Sequence, residues 1–296
     1  MNKRMKWLLK LLKFGLTLAI IGAFAGAAAL AAAYYYLEPD LPDIDNLRDV
    51  RLQVPLKVLS RDGMLIGEFG EKRRNPLGFD QIPERMVQAF LSAEDANFFH
   101  HPGVDYRGLL RAGLQLALTG EKKQGGSTIT MQVARNFYLS RKKTYTRKLS
   151  EIFLALRIEK ELSKQEILEL YLNKIYLGHR AYGVGAAARV YYGKQVDELD
   201  LAQTAMIAGL PKAPSRFNPL ANPPRALERR NYVLDRMLEL NFISQAEHAA
   251  ASAQAITASR YAPDIEVEAP YVAEMVRAEM VERFDQDAYT GGYTVY

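Results

Sequence analysis

The sequence feature that most limits how this chain can fold is a run of twenty residues without a charged side chain, from Phe14 to Ala33. A helix of that length, at about 1.5 Å per residue, crosses a hydrocarbon layer of about 30 Å. Residues 1–13 hold five Lys or Arg and no acid, and three tyrosines follow the run. This pattern predicts a cytoplasmic tail at 1–13, one transmembrane helix at 14–36 and an exported remainder. A cleaved signal peptide is the alternative, because small residues at 31–33 resemble a cleavage site.

The basic tail also explains the charge of the chain. The formal net charge is +5, and without the five basic residues of the tail the remaining 34 Lys or Arg balance 34 Asp or Glu. The basicity therefore belongs to the amino terminus, and we expect no nucleic-acid partner. The chain has no cysteine, which excludes a disulfide framework.

The rest of the chain is predicted to be mainly α-helical with a small β element. Residues 37–53 contain prolines and several acids and read as a juxtamembrane stalk. Two short strands are expected around the turn at 61–63, and helical patterns run from Pro83 to about residue 240. We therefore assign 54–240 to the main domain and 241–296 to a linker. The last ten residues, DAYTGGYTVY, predict a turn and a strand that has no partner in the chain.

Two helix starts carry a specific capping signal. Ser163 with Glu166, and Ser244 with Glu247, fit the S-x-x-E box in which each side chain satisfies a free backbone N–H. Both pairs precede apolar residues at helical spacing, so each predicts the first turn of a helix.

The stretch AEDANFFHHPGVD, residues 93–105, contains the first candidate for chemistry. In a helix that begins near Pro83, the residues Val87, Phe90, Glu94 and Phe98 share one face, so Glu94 interrupts an apolar stripe. Burial would raise the pKa of such a carboxyl toward the range useful for proton transfer. A solvated or paired glutamate at a helix end explains the spacing equally well, and both interpretations stay open on periodicity alone.

The neighbours of Glu94 favour structural interpretations. Asp95 faces another direction and is predicted to accept structural hydrogen bonds. His100 and His101 follow in a loop without the spaced acids or cysteines of a metal site, so hydrogen bonding or packing is the better explanation.

A second candidate is a run of basic residues. Eight Lys or Arg and no Asp or Glu lie between Lys122 and Ser150. A Gly-Gly break and Ser127-Thr128 come before the first helix of this run, where free backbone N–H groups favour an anion. On that helix Thr128, Gln132 and Arg135 share one side. The run therefore predicts an anion site that fits a phosphate or diphosphate better than a single carboxylate.

On the next helix Lys143, Arg147 and Glu151 recur every four residues and form one stripe. From spacing alone, an intrahelical pair with Arg147 is the preferred interpretation of Glu151. A further leucine-rich stretch at 106–120 fits core packing best, although in an anchored protein it could also lie on lipid.

Five ordered motifs resemble those of the peptidoglycan glycosyltransferase family, the transglycosylase domain of class A penicillin-binding proteins and of monofunctional transglycosylases. They read EDANFFHHPGVD, GGSTITMQVARN, RKLSE, YLNKIYLG and YGVGAAARVYYGK, and GLPKAPSRFNP extends the similarity. Met131 departs from the family, which more often has glutamine there, and is left out of the site. The resemblance implies a lysozyme-like helical domain that polymerises lipid II at the outer face of the cytoplasmic membrane, in cell-wall synthesis.

The same resemblance implies roles for individual residues. Glu94 would be the catalytic base, and Glu151 would help position the diphosphate cluster or a bound cation, which replaces the simple pairing preferred above. The side chains that would bind substrate or shape its site are Asp95, Phe98, His101, Ser127, Thr128, Gln132, Arg135, Lys143, Arg147, Lys148 and Asn173. No protein-held metal site is assigned, and a divalent cation, Mg or Mn, at the diphosphate is left open.

The implied partners are lipid II, the growing lipid-linked glycan chain and membrane lipid, with other cell-wall synthesis proteins left open. Residues 140–143 fit S-x-x-K, but the companion transpeptidase motifs are lacking and we interpret the match as chance. The ending DAYTGGYTVY resembles the linker that precedes the transpeptidase domain in class A proteins, so the chain is expected to be the amino-terminal part of a bifunctional enzyme, with 241–296 leading toward that domain. The alternatives are a lysozyme-like hydrolase or lytic transglycosylase, and a non-catalytic membrane-anchored scaffold.

Overall fold

The structure, a computed structural model, describes residues 3–44, 47, 52–120, 126–139, 144–261 and 265–296. The described part is mostly helical with a small sheet, as predicted. Its helices are α1 (Lys3–Leu37), α2 (Glu84–Glu94), α3 (Tyr106–Thr119), α4 (Ile129–Tyr138), α5 (Tyr145–Glu161), α6 (Lys164–Lys174), α7 (Val184–Tyr192), α8 (Leu201–Gly209), α9 (Pro223–Glu239), α10 (Gln245–Ala253) and α11 (Pro270–Phe284). The strands are β1 (Leu56–Leu59), β2 (Leu65–Phe69), β3 (Arg73–Arg74), β4 (Ala181–Tyr182) and β5 (Thr294–Val295).

The first helix contains the apolar run. Within the described residues one helical stretch, Lys13–Asp40, is long and apolar enough to cross a membrane, with a mean hydropathy of 2.1. Most of its described side chains are exposed. The end of α1 is held to α5, because the Arg157 guanidinium donates to the Tyr34 hydroxyl at 3.0 Å and pairs with Glu38 at 3.3 Å. The rings of Tyr34 and Phe153 also meet edge to face, so the apolar helix is fixed to the helical domain at one end.

The main core forms where α2 packs against α8 and α9, and α4 packs against α5 and α6. Its fully buried side chains include Phe90, Ile129, Leu154 and Tyr171. The predicted capping boxes at Ser163 and Ser244 are both present, at the starts of α6 and α10. They show that local sequence sets these helix starts, because each box satisfies two otherwise unpaired N–H groups.

The sheet corrects one prediction. Strands β1 and β2 pair antiparallel around the predicted turn, and β5 lies parallel to β1 with Lys57 opposite Thr294. The prediction that the last strand has no partner in the chain is therefore wrong. A second small core of Leu56, Val58, Met280 and Ala288 joins the sheet to α11. The division at residue 240 stays a prediction, and α10 packs on α8 and α9 of the main domain.

A second difference concerns the helix that carries Glu94. It begins after Pro83 as predicted, but it ends at Glu94, and Phe98 lies in a separate short 3-10 turn at Phe98–His100. Phe98 is nevertheless fully buried. The prediction that one continuous helical face extends to Phe98 is wrong, because the chain turns at Asp95 to bring its carboxylate to another helix.

Candidate active site

Glu94 is the last residue of α2, and its carboxylate is largely buried between two other helices. The Gln132 amide of α4 donates from Nε2 to Glu94 Oε2 at 2.9 Å. Arg229 of α9 approaches the other oxygen, with Nη2 3.5 Å from Oε1. Arg135, one turn after Gln132, donates to the Gln132 side-chain oxygen at 3.3 Å. Three helices therefore position one carboxylate and the polar groups around it.

Burial is the main electrostatic influence on this carboxyl. Desolvation raises the pKa of Glu94, and the hydrogen bond from Gln132 and the positive charges of Arg229, Lys212 and Arg135 oppose that shift. The net direction is upward, so burial outweighs the four stabilising groups. A carboxylate of this kind is a better proton acceptor than an exposed glutamate, and it keeps enough partners to remain ionisable.

Asp95 and His101 build the frame around Glu94. His101 Nε2 lies 3.0 Å from both Asp95 oxygens, and His101 Nδ1 accepts a hydrogen bond from the Gly103 N–H at 3.2 Å. That acceptor role assigns the ring proton to Nε2, which donates to Asp95. Asp95 also accepts from the Ile129 N–H at 3.0 Å, at the first turn of α4. The Asp95 carboxylate thus joins the end of α2, the histidine loop and the start of α4.

Thr128 and Phe98 complete this frame. The Thr128 hydroxyl accepts from the Met131 N–H as the N-cap of α4 and donates to the Gly103 carbonyl oxygen. The Lys164 ammonium lies over the Phe98 ring at 4.3 Å and donates to the His101 carbonyl oxygen. These contacts are internal, so the residues hold the loop and helix that carry the site.

The basic cluster lies on α5, beside the start of α4. Lys148 donates to the Ser127 hydroxyl at 2.6 Å and to Glu151 at 2.8 Å, and Arg147 contacts the other Glu151 oxygen at 2.8 Å. Glu151 is 1% exposed, so the pairing predicted from spacing is present and includes a second base. The buried Arg147 Nε has no hydrogen-bond partner within the described residues. That donor, with the outer faces of Arg147 and Lys148, is available to an anion.

The side chains described around the site do not form a donor set for a metal held by the protein. Within the described ranges, no group of three or more His, Cys, Asp or Glu side chains could hold a metal ion. The acid of the cluster, Glu151, has both oxygens against basic side chains. A divalent cation needs several free oxygens, so we derive no chemistry from one here.

Lys143 and Asn173 are the other two residues predicted for the site. Lys143 lies outside the described residues, as do Lys122, Lys123, Arg141 and Lys142 of the same basic run. Asn173 uses both ends of its amide on the main chain of Leu77, at 2.9 and 2.7 Å. Asn173 therefore fixes the segment that precedes α2.

Sequence reasoning missed Arg229 and Lys212 as neighbours of Glu94. Arg229 is 6% exposed and also donates to the Gly209 carbonyl oxygen, and its guanidinium stacks on Tyr232 at 4.6 Å. A charged residue within an apolar helical stripe is the signal that could have identified Arg229, as it did Glu94. On α9, Arg229 and Arg230 interrupt the apolar stripe of Ala226, Val233 and Met237. Lys212 lies in the matching stretch GLPKAPSRFNP but was given no role.

Tyr171 of α6 is a further buried group near this carboxylate. Its ring meets Phe90 edge to face, with centroids 6.0 Å apart, and Phe90 lies one turn before Glu94 on α2. Burial raises the pKa of Tyr171 well above its usual range, and the negative charge of Glu94 adds to the shift. The Tyr171 hydroxyl has no hydrogen-bond partner among the described residues, which is unusual for a buried polar group.

Known proteins resemble this chain over most of its length. Penicillin-binding protein 1A of Pseudomonas aeruginosa is 57% identical over 267 residues, which are 90% of this chain and 32% of that protein. Penicillin-binding protein 1A of Escherichia coli K12 is 53% identical over 288 residues, 97% of this chain and 34% of that protein. A crystal structure of penicillin-binding protein 1A from Haemophilus influenzae covers 83% of this chain and 27% of its own, at 38% identity and a TM-score of 0.48.

The chain thus spans about a third of the length of these curated relatives. Residues 62–238 match the family described as Transglycosylase, and that range contains all five sequence motifs together with Glu94, Gln132, Glu151 and Arg229. On this match the chain belongs to the transglycosylase family.

Proposed function

We propose that this chain is a membrane-anchored peptidoglycan glycosyltransferase that extends glycan strands from lipid II. One structural observation carries the proposal, namely that α4 connects a buried carboxylate to a cationic cluster. Ser127, just before α4, bonds to Lys148, and Gln132, five residues later, bonds to Glu94. Only Thr128 and the first turn of α4 separate these two residues, so an acceptor hydroxyl at Glu94 and a diphosphate at the cluster can belong to one reaction centre.

In the proposed reaction Glu94 accepts the proton of the 4-hydroxyl of an incoming lipid II. The freed oxygen forms a bond to the anomeric carbon of the growing chain, and the bond from that carbon to the lipid diphosphate breaks with inversion. A β-1,4 link results, and the electron pair leaves with undecaprenyl diphosphate. Burial prepares Glu94 for this step by raising its pKa, and Gln132 and Arg229 hold its two oxygens in place.

The basic cluster acts on the leaving group in this proposal. Negative charge grows on the diphosphate as the bond breaks, and Arg147 and Lys148 supply positive charge that their contacts to Glu151 already fix in position. Arg135 would extend the same field toward Glu94. Any divalent cation would accompany the diphosphate as its counter-ion, because the described residues provide no set of oxygen ligands for it.

Membrane anchoring supports a lipid-linked substrate. The contact of Arg157 with Tyr34 and Glu38 fixes α1 to α5, the helix that also carries the basic cluster. Tyr106, Leu110 and Leu118 of α3 are exposed, in agreement with a helix that lies against lipid. We propose that α1 spans the cytoplasmic membrane once, with its amino terminus inside and the catalytic domain outside, and that membrane lipid and a growing lipid-linked glycan are the partners.

Incubation with lipid II tests the function directly. We expect glycan strands that lengthen with time and a matching release of undecaprenyl diphosphate. A hydrolase or lytic transglycosylase would instead shorten finished glycan and leave lipid II unchanged, and a scaffold would do neither. Either of those two results would contradict the proposal.

A further inference from the structure

A cavity of about 430 Å³ lies away from Glu94, at the junction of the small sheet with the helical domain. Strands β1, β2 and β3 form one side, and α7 and the segments around Lys194 and Tyr261 form the other. Among the described residues, neither Gln132 nor Arg229, which contact Glu94, lines it. Its volume falls within the range of small-ligand sites, about 300–1,000 Å³.

The backbone shapes this cavity specifically. Tyr261 donates its N–H to the Val190 carbonyl oxygen at 3.0 Å, which fixes the Tyr261 segment along the end of α7. Gly193 lies in the left-handed region, with φ 65°, and a Cβ there would meet the Tyr261 ring at 2.7 Å. Only glycine therefore allows the ring to close this side of the cavity without displacement.

The side chains that line the cavity carry a formal excess of positive charge, five basic against three acidic. The basic side chains of the lining are Lys57, Arg73, Arg74, Arg189 and Lys194, and none of them makes an ion pair within the described residues. Two of the three acids already accept backbone hydrogen bonds, Glu198 from the Gln195 N–H at 2.6 Å and Glu266 from the Leu65 N–H at 2.7 Å. The third, Glu68, lies across from Lys57 on the paired strand.

Arg74 is the basic side chain of the lining whose burial most requires an anionic partner. It is 6% exposed, and its Nε has no hydrogen-bond partner among the described residues. Its guanidinium has a long contact of 3.5 Å to the Gln53 carbonyl oxygen and stacks on Tyr182 at 5.1 Å. Burial without a counter-charge lowers the pKa of Arg74. A buried guanidinium is costly unless it is paired, which an anion in the cavity would provide.

The pKa of a neighbouring lysine is lowered by burial and by the same excess of positive charge. Burial and then the positive charges of Arg74 and Lys72 lower the pKa of Lys174 to about 8. The excess of positive charge thus extends behind the wall of the cavity, and an anion that neutralised Arg74 would also relieve this repulsion.

The remaining lining indicates what kind of anion fits. Leu59, Leu65, Ala186 and Val190 give the cavity an apolar part, which an inorganic ion would leave unused. The three carboxylates disfavour a ligand with several negative charges. We propose that this cavity binds a peptide-like monoanion, in which one carboxylate meets Arg74 and Arg189 and an apolar body lies on the leucine and valine side chains. Arginine suits this ligand because its planar donors match both carboxylate oxygens.

Ligand-observed NMR on the detergent-solubilised chain tests the site, with N-acetyl-leucyl-alanine as the probe and its carboxamide as the uncharged match. We expect the free carboxylate to bind and the carboxamide to bind at least about tenfold more weakly, a difference of about 1.4 kcal/mol. Equal binding of the two probes, or no binding of either, would overturn the site.

Arg189→Ala is the variant of choice, because this side chain is exposed and has no partner within the described residues, so its removal should leave folding intact. We expect about tenfold weaker binding of the carboxylate probe. Arg225→Ala, an exposed arginine of α9 outside the cavity, is the control and should bind like the parent. Equally weakened binding of the probe in both variants would show that binding depends on surface charge in general, which would overturn the proposal. Competition by inorganic phosphate as strong as that by the peptide would overturn the choice of an apolar carboxylate.

Discussion

Gln132 donates from Nε2 to Oε2 of Glu94 at 2.9 Å, and this bond joins α2, which carries the proposed base, to α4, whose start lies beside the basic cluster. The bond favours the ionised carboxylate, whereas burial favours the protonated form. The activity of the site at a given pH therefore depends on the balance between these two influences.

The first prediction removes this donor. Gln132→Ala should raise the pKa of Glu94 further, because a group that lowers it is lost. A base must be ionised to act, so the fall in kcat at low pH should move to higher pH. The measurement is the pH profile of lipid II turnover. Thr130→Ala on the same helix, where Thr130 donates to Glu159, is the control and should leave the midpoint unchanged. An unchanged midpoint in Gln132→Ala would contradict the account.

Arg229 and Arg230 form a natural pair of adjacent tests on α9. Arg229 contacts Glu94, whereas Arg230 donates to the carbonyl oxygens of Ser252 and Gln254 at the end of α10. Arg229→Met should lower kcat by about 10²-fold, since it removes a charge that opposes the shift of Glu94. Arg230→Met should instead lower the free energy of unfolding by about 2 kcal/mol and leave the pH profile unmoved. Parallel kinetics and thermal melts would separate the two roles, and the reverse pattern would refute them.

How well the sequence predicts the site depends on how far apart the site residues lie along the chain. Glu94 is a candidate because one acid in an apolar stripe is a local signal, and Gln132 and Arg135 are candidates because they share one helix face. The stripe leaves a paired or solvated glutamate open, and the proposed role comes from the resemblance to the family. Arg229 was missed because its contact with Glu94 joins distant helices, which periodicity does not pair. The internal roles of Asp95 and Asn173 depend on bonds to the main chain of Ile129 and Leu77, and no side-chain pattern reports such bonds.

The fold shows the same division between local and long-range information. Capping boxes, the apolar helix and the turn between β1 and β2 were predicted, because each depends on residues within a few positions of one another. The partner of β5 was not, because β1 lies at the opposite end of the described domain. A two-residue strand carries too little pattern to identify its neighbour.

Tyr171 and Tyr191 offer a matched comparison of buried hydroxyls. Tyr191 donates to the Leu177 carbonyl oxygen at 2.8 Å and accepts from Asn218, whereas Tyr171 has no partner among the described residues. Tyr191→Phe should therefore reduce the free energy of unfolding by about 1–2 kcal/mol. Tyr171→Phe should be neutral or stabilising, because no hydrogen bond is lost. Chemical denaturation measures both, and an equal loss in the two variants would show that Tyr171 has a partner.

Lys148 tests the basic cluster. Lys148→Ala should lower lipid II turnover by about 10²-fold, because a charge fixed beside the proposed diphosphate site is lost. The melting temperature should change little by comparison, since the Lys148 side chain is partly exposed. Lys160→Ala, on the exposed face of the same helix, should affect neither quantity. Proportional losses of turnover and stability in Lys148→Ala would indicate a structural role.

The central claim is that the buried carboxylate of Glu94 is the base of glycan polymerisation. Glu94→Gln keeps the size of the side chain and removes the charge. Because burial raises the pKa of Glu94, the ionised form destabilises the fold as pH rises through that pKa, so the variant should melt no lower than the parent at neutral pH. The decisive measurement is glycan-strand formation from lipid II by this folded variant. The account predicts no detectable polymer, and strand growth at a rate near that of the parent would contradict it.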